Sequence, residues 1–89
     1  MPMTVYLTER YLPGITLEQL TAVSAVARDT SRRFTAEGKP VRYIRSLFVP
    51  GEGRCLCQFE AATARVIQEV NEAAQLPFTR IIEVWELSS

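Results

Sequence analysis

Along the chain, the spacing of apolar and polar positions switches between a two-residue period and a helical one, and each switch marks an element. Residues 4–12 (TVYLTERYL) alternate and are rich in β-branched and aromatic types, the pattern of a strand. Pro13-Gly14 breaks it. Thr16-Leu17-Glu18-Gln19 has the form of a capping box, with Gln19 three residues after the cap. Leu20, Val23, Ala27, Thr30 and Phe34 then recur at helical spacing. Gly38 stands where a helix end needs a left-handed residue, and Pro40 blocks continuation. Residues 41–49 (VRYIRSLFV) predict a second strand and 54–60 (RCLCQFE) a third. The turn Pro50-Gly51-Glu52-Gly53 makes the two a hairpin. Residues 63–75 predict a second helix, capped at or just before Thr63, with Val66, Ile67, Val70 and Ala74 on one stripe. Leu76-Pro77 ends it, and residues 79–87 (TRIIEVWEL) predict the last strand.

The order β-α-β-β-α-β, with short β-α connections and right-handed crossovers, leads to one compact solution: an α+β domain of the ferredoxin-like kind. It has a four-stranded antiparallel sheet in the order 4-1-3-2 with both helices on one face. The span 1–89 is expected to be a single domain. Alternation gives each strand two sets of side chains. The more apolar sets are expected under the helices: Val5 and Leu7, Ile44 and Phe48, Cys55, Cys57 and Phe59, Ile82 and Val84. The open face is then expected to carry Tyr6, Thr8 and Arg10, Tyr43, Arg45 and Leu47, Leu56, Gln58 and Glu60, Ile81, Glu83 and Trp85. Glu9 does not fit this division, since it falls on the helix side. A face that mixes aromatics with opposite charges is of the sort that packs on a second sheet, giving a homodimeric α+β barrel with a cavity between the sheets.

Charge narrows the partners. Ten basic and ten acidic residues cancel, so nothing favours nucleic acid. Nine of the basic residues are Arg, which suits bidentate pairing with carboxylates and also fits a bacterial source of high GC content. No apolar run approaches a membrane span. Met1-Pro2-Met3-Thr4 lacks the charged start and apolar core of a secretory signal. Two cysteines two residues apart cannot staple a fold, so the expected location is the reducing cytoplasm.

Candidate chemistry is sparse. Cys55 and Cys57 project in parallel from one face of a strand, where two thiolates can share a soft metal. The alternative is that both simply pack as small hydrophobes. Glu83, beside Ile81 and Trp85 and opposite strand 1, is a candidate acid or base with Arg10 as partner. An interface ion pair is the plainer role for both. Tyr6, Arg10, Tyr43, Arg45, Gln58, Glu83 and Trp85 are the candidate ligand-binding set. The chain has no His, which removes Ser-His and Cys-His nucleophiles. No glycine-rich loop precedes a helix, so there is no phosphate cradle.

Glu9-Arg10-Tyr11-Leu12-Pro13-Gly14-Ile15-Thr16 with Gln19-Leu20, then Val41-Arg42-Tyr43-Ile44-Arg45-Ser46, Cys55-Leu56-Cys57, Phe59-Glu60-Ala61 and Asn71-Glu72-Ala73-Ala74 through Leu76-Pro77, form a series. It resembles a bacterial ferredoxin-like family of about this length, one branch of which binds nickel. The resemblance covers nearly the whole chain and implies a ferredoxin-like homodimer with possible metal binding. The nickel-binding branch resembles this chain at Cys57 and Glu60 but carries His where Asn71 and Leu76 stand here. A nickel or other transition-metal site would therefore have to use Cys57 and Glu9, or Glu83. Two functions are carried forward: a homodimeric module binding a small ligand or a metal ion on the open sheet face, and a small cofactor-independent enzyme of isomerase or monooxygenase type, with Glu83 moving protons and Arg10 or Arg45 holding an oxyanion.

Overall fold

A computed structural model describes residues 2–88; Met1 and Ser89, the two ends of the expected 1–89 span, lie outside the described residues. The elements run β1 (Thr4–Tyr11), α1 (Leu17–Ala36), β2 (Val41–Val49), β3 (Arg54–Ala61), α2 (Ala64–Ala73) and β4 (Arg80–Val84). The sheet order is β2-β3-β1-β4, all pairs antiparallel, which is the expected order read from the other edge. Helix α1 packs on β2, and α2 lies over β1, β3 and β4. Among the described residues no helix is long and apolar enough to cross a membrane.

Local chemistry sets the element ends. Thr16 and Gln19 form the capping box reciprocally, Thr16 Oγ1 accepting from the Gln19 amide at 3.1 Å and Gln19 Oε1 from the Thr16 amide at 3.0 Å. Helix α1 closes on Gly38 at φ 95°, with the Gly38 and Lys39 amides donating to Thr35 and Phe34. Helix α2 ends the same way, but the left-handed residue is Gln75 at φ 57° rather than a glycine. That turn stops α2 at Ala73, short of the predicted 75. Gly53 has another duty: a Cβ there would sit 2.9 Å from Pro13 Cα, where Leu12 donates its amide to the Gly53 carbonyl at 2.7 Å. Strand β4 spans five residues where 79–87 was expected, because its pairing with β1 runs out at Val5 opposite Val84.

The faces of β1 and β4 are the reverse of the sequence-based assignment. Tyr6, Thr8 and Arg10 are buried under the helices, opposite Phe59, Cys57 and Cys55 of β3. Ile81 packs on that core too, whereas Val5, Leu7, Leu56, Ile82 and Val84 lie on the uncovered side and do not. Side-chain volume gives the reason. β3 presents two small thiols to the helices, and the space they leave takes the long Arg10 and Thr8, with Tyr6 opposite Phe59. In β2, a bulge between Tyr43 and Arg45 resets the alternation. Tyr43 and Ser46, three residues apart, therefore both align with helix-side residues, Phe59 and Cys57.

Candidate functional site

The covered face holds an unusual amount of polar chemistry for a core. Cys55 and Cys57 are both fully buried, with their sulfurs 3.9 Å apart. Ser46 Oγ lies 3.1 Å from Cys57 Sγ and 2.6 Å from the Tyr43 hydroxyl, and it accepts from Ser24 Oγ of α1 at 3.0 Å. The bulge in β2 makes this chain of contacts possible, since without it Tyr43 and Ser46 would point to opposite faces. The Tyr43 ring meets Phe59 edge-on at 5.6 Å, which fixes its hydroxyl over Ser46.

Arg10 is 1% exposed, and its Nη1 donates to the Pro77 carbonyl at 3.2 Å. Its Nε and Nη2 meet no partner within the described residues, and the same holds for Thr8 Oγ1 and Asn71 Oδ1. A buried guanidinium keeps its charge at any pH a protein survives, so the cost of desolvating it falls on its neighbours. Those neighbours are the thiols. The Cys57 thiol is drawn down to about 6, first by the hydrogen bond from Cys55 and then, against the opposing effect of burial, by Arg10 and Ser46. Cys55 moves the other way, raised by the hydrogen bond it gives to Cys57 and by burial. The pair shares a hydrogen bond that favours one thiolate between the two sulfurs, with Arg10 as the nearby positive charge.

The uncovered face is simpler. Val5, Leu7, Leu47, Leu56, Ile82 and Val84 share it with Gln58 and Arg45, which sit opposite one another in β3 and β2. Ion pairs frame it. At one end Glu9 accepts from Arg80 Nε at 3.1 Å and lies 3.5 Å from Arg54. At the other, Arg42 lies 3.4 Å from Glu60. The Arg80 hydrogen bond, helped by Arg54 and Thr79, holds the Glu9 carboxyl below its usual range.

The expected ligand set does not converge. Tyr6, Arg10 and Tyr43 lie under the helices, and Arg45 and Gln58 lie on the open face. Glu83 is exposed on the edge strand opposite Tyr6, and Trp85 extends past the end of β4, 84% exposed, its Nε1 donating to Glu83 at 3.3 Å. Arg10 turns to Pro77 instead of Glu83. Cys57 and Glu9 occupy opposite faces of the sheet and cannot share one ion. Ser24 was not named from the sequence, Thr8 was expected on the open face, and Ser46 and Asn71 entered only through the family resemblance. The spacing of Ser46 from Tyr43 becomes meaningful once the bulge is known.

A family model described as nickel responsive protein SCO4226-like matches residues 6–84. Among solved structures, the crystal structure of SCO4226 from Streptomyces coelicolor A3(2) is similar to this chain, with a TM-score of 0.78 and 24% identity over 96% of this chain and 99% of that one. That structural likeness carries the fold. No curated protein matches.

Proposed function

The chain belongs to the SCO4226-like family of nickel-responsive proteins, and from that premise we propose that it is a homodimeric binding module whose two sheets stack through their uncovered faces. The supporting observation is the make-up of that face, apolar in the middle and ion-paired at the rim. Four strands at ~4.8 Å spacing, three of them ~25 Å long and β4 shorter, make a flat patch of roughly 450 Å², and the side chains standing on it add surface toward the ~800 Å² per partner of a stable complex. A two-fold axis brings the same patch to itself, apolar centre on apolar centre. Gln58 and Arg45 are the polar groups inside the apolar region, and they suit a small ligand with an apolar body and an anionic end.

Nickel does not fit the donors of one chain. There is no His in the sequence, and no cluster of three or more Cys, Asp and Glu exists among the described residues. Glu9 is engaged by two arginines, and the thiols face a guanidinium. The enzyme alternative finds less support, since Arg10 turns to Pro77 and Arg45 lies on the other face of the sheet from Glu83.

Sedimentation equilibrium tests the proposal. Wild type is expected to be a two-chain species at micromolar concentration, and Leu7→Arg, which puts a charge in the apolar centre, a folded monomer. A wild type that stays monomeric would overturn the proposal. Calorimetric titration of the dimer with a medium-chain fatty-acid anion is expected to give binding that Arg45→Gln weakens; no heat in wild type would remove the ligand assignment.

A further inference from the structure

We propose that Cys55, Cys57 and Arg10 form a site under the helices for one soft monovalent cation of the copper(I) or silver(I) class. The site is separate from the open face and does not depend on how that face is used.

Geometry is the first support. Two metal–sulfur bonds of ~2.3 Å set in line span ~4.6 Å, so sulfurs 3.9 Å apart need to separate by roughly 0.7 Å, within reach of side-chain rotation, to hold a two-coordinate ion. Thiolates are the donors that select soft ions. The second support is charge. Arg10 contributes one permanent positive charge in a place sealed from water, with two of its nitrogens unpartnered. Two thiolates, one monovalent cation and one guanidinium sum to zero. A divalent ion such as nickel leaves a net positive charge in the core, where an uncompensated charge is costly. The same arginine that makes the covered face unsuitable for nickel therefore suits it to a monovalent ion.

The third support is access. A groove of about 370 Å³ between α1 and β2 is lined by Leu20, Ser24, Tyr43 and Ser46, among others. Ser46 at its wall touches Cys57. A rotation of the Ser46 hydroxyl away from Ser24 opens the last step to the sulfur. Binding displaces to solvent whatever protons the two sulfurs carry and changes no oxidation state: the cation gains two sulfur bonds as the S–H bonds break.

The test uses the metal-free full-length protein, silver(I), copper(I) supplied anaerobically, and nickel(II). Silver(I) is expected to bind one ion per chain. It should raise the melting temperature, because the folded state alone presents the paired sulfurs. Cys57→Ser should abolish binding, and Arg10→Met should weaken it about 10- to 100-fold, as loss of a partner just outside a metal's ligands does. Arg10→Lys, which keeps the charge, should retain most of it. A fall in melting temperature on adding silver(I) would mean that the ion binds only the unfolded chain and would overturn the site. So would nickel(II) bound at the same thiols with equal affinity, or silver(I) binding that survives Cys57→Ser.

Discussion

The two faces of the sheet invert the usual arrangement. The face that helices cover carries Thr8, Arg10, two cysteines and a serine–tyrosine chain of hydrogen bonds, whereas the face left open has an apolar centre of valines, leucines and an isoleucine. Burial therefore does not follow local hydropathy here. The helices seal a buried guanidinium and two thiols whose charges can offset one another, while several polar atoms beside them meet no hydrogen-bond partner within the described residues. The open face is apolar at its centre apart from Arg45 and Gln58, and such a face suits a second apolar surface. One face is built around a charge balance, the other around an area.

Neighbouring positions on β3 separate the two faces most sharply. Phe59→Ala, on the covered side, is expected to lower stability by about 3–5 kcal/mol at every protein concentration, as deletion of a buried ring does. Leu56→Ala, on the open side, is expected, under the proposed dimer, to destabilise chiefly by weakening the association, so its penalty should depend on dilution. Urea denaturation at two protein concentrations checks both. Equal concentration dependence for the two variants would break the contrast.

The next largest effect is the pH dependence of the metal-free protein above about pH 5, where the shifted thiols of the covered face titrate. The titratable groups there are Cys55 and Cys57, with Arg10 from β1 and Tyr43 reaching Cys57 through Ser46. Cys57 ionises near 6 in the folded chain and near the ordinary thiol value of 9 when unfolded. Between those values the unfolded chain binds the extra proton. Stability therefore rises with pH by at most about 1.4 kcal/mol per unit, and this contribution is lost as pH falls through 6. Above the ordinary thiol value the raised Cys55 reverses the sign, because the folded chain then keeps a proton that the unfolded chain has lost. Denaturation midpoints across this range should form a maximum near the ordinary thiol value. Cys57→Ser should flatten the rising limb, and a limb that persists in that variant would show that another group carries it.

The smallest effect belongs to the rim of the open face. Glu9 bridges Arg54 and Arg80 at the surface, where water and salt screen the pairs. Glu9→Gln in the Leu7→Arg background is expected to leave the melting temperature within error of its parent, and high salt to erase any remaining difference. A clear loss there would mean that the rim does more than frame the apolar centre.

Much of this protein was legible before any coordinates. The six elements, the capping box of α1 and the hairpin after Val49 follow from local spacing and from a handful of turn residues, and the sheet order from the element order and the handedness of crossovers. Those signals depend on residues close in sequence, and the physics they report is local. The candidate residues were less legible. The spacing marks Cys57 as part of a soft-metal pair and Arg10 as a partner for Glu83, whereas in the fold Arg10 lies by the thiols.

Alternation along β1 and β4 gives two sets of side chains and does not say which set turns inward, and each set here contains enough apolar surface to be buried against something. The tertiary structure settled that choice through volume: the small thiols of β3 leave room under the helices for Arg10, and no property of β1 alone contains that information. A single extra residue in β2 then brought Tyr43 and Ser46 to the same side. The chain by itself determined which elements form and in what order, because hydrogen bonds and dihedral preferences act between near neighbours. The assembled sheet alone decided which groups lie against Cys57, because packing and charge balance join residues that are far apart in sequence.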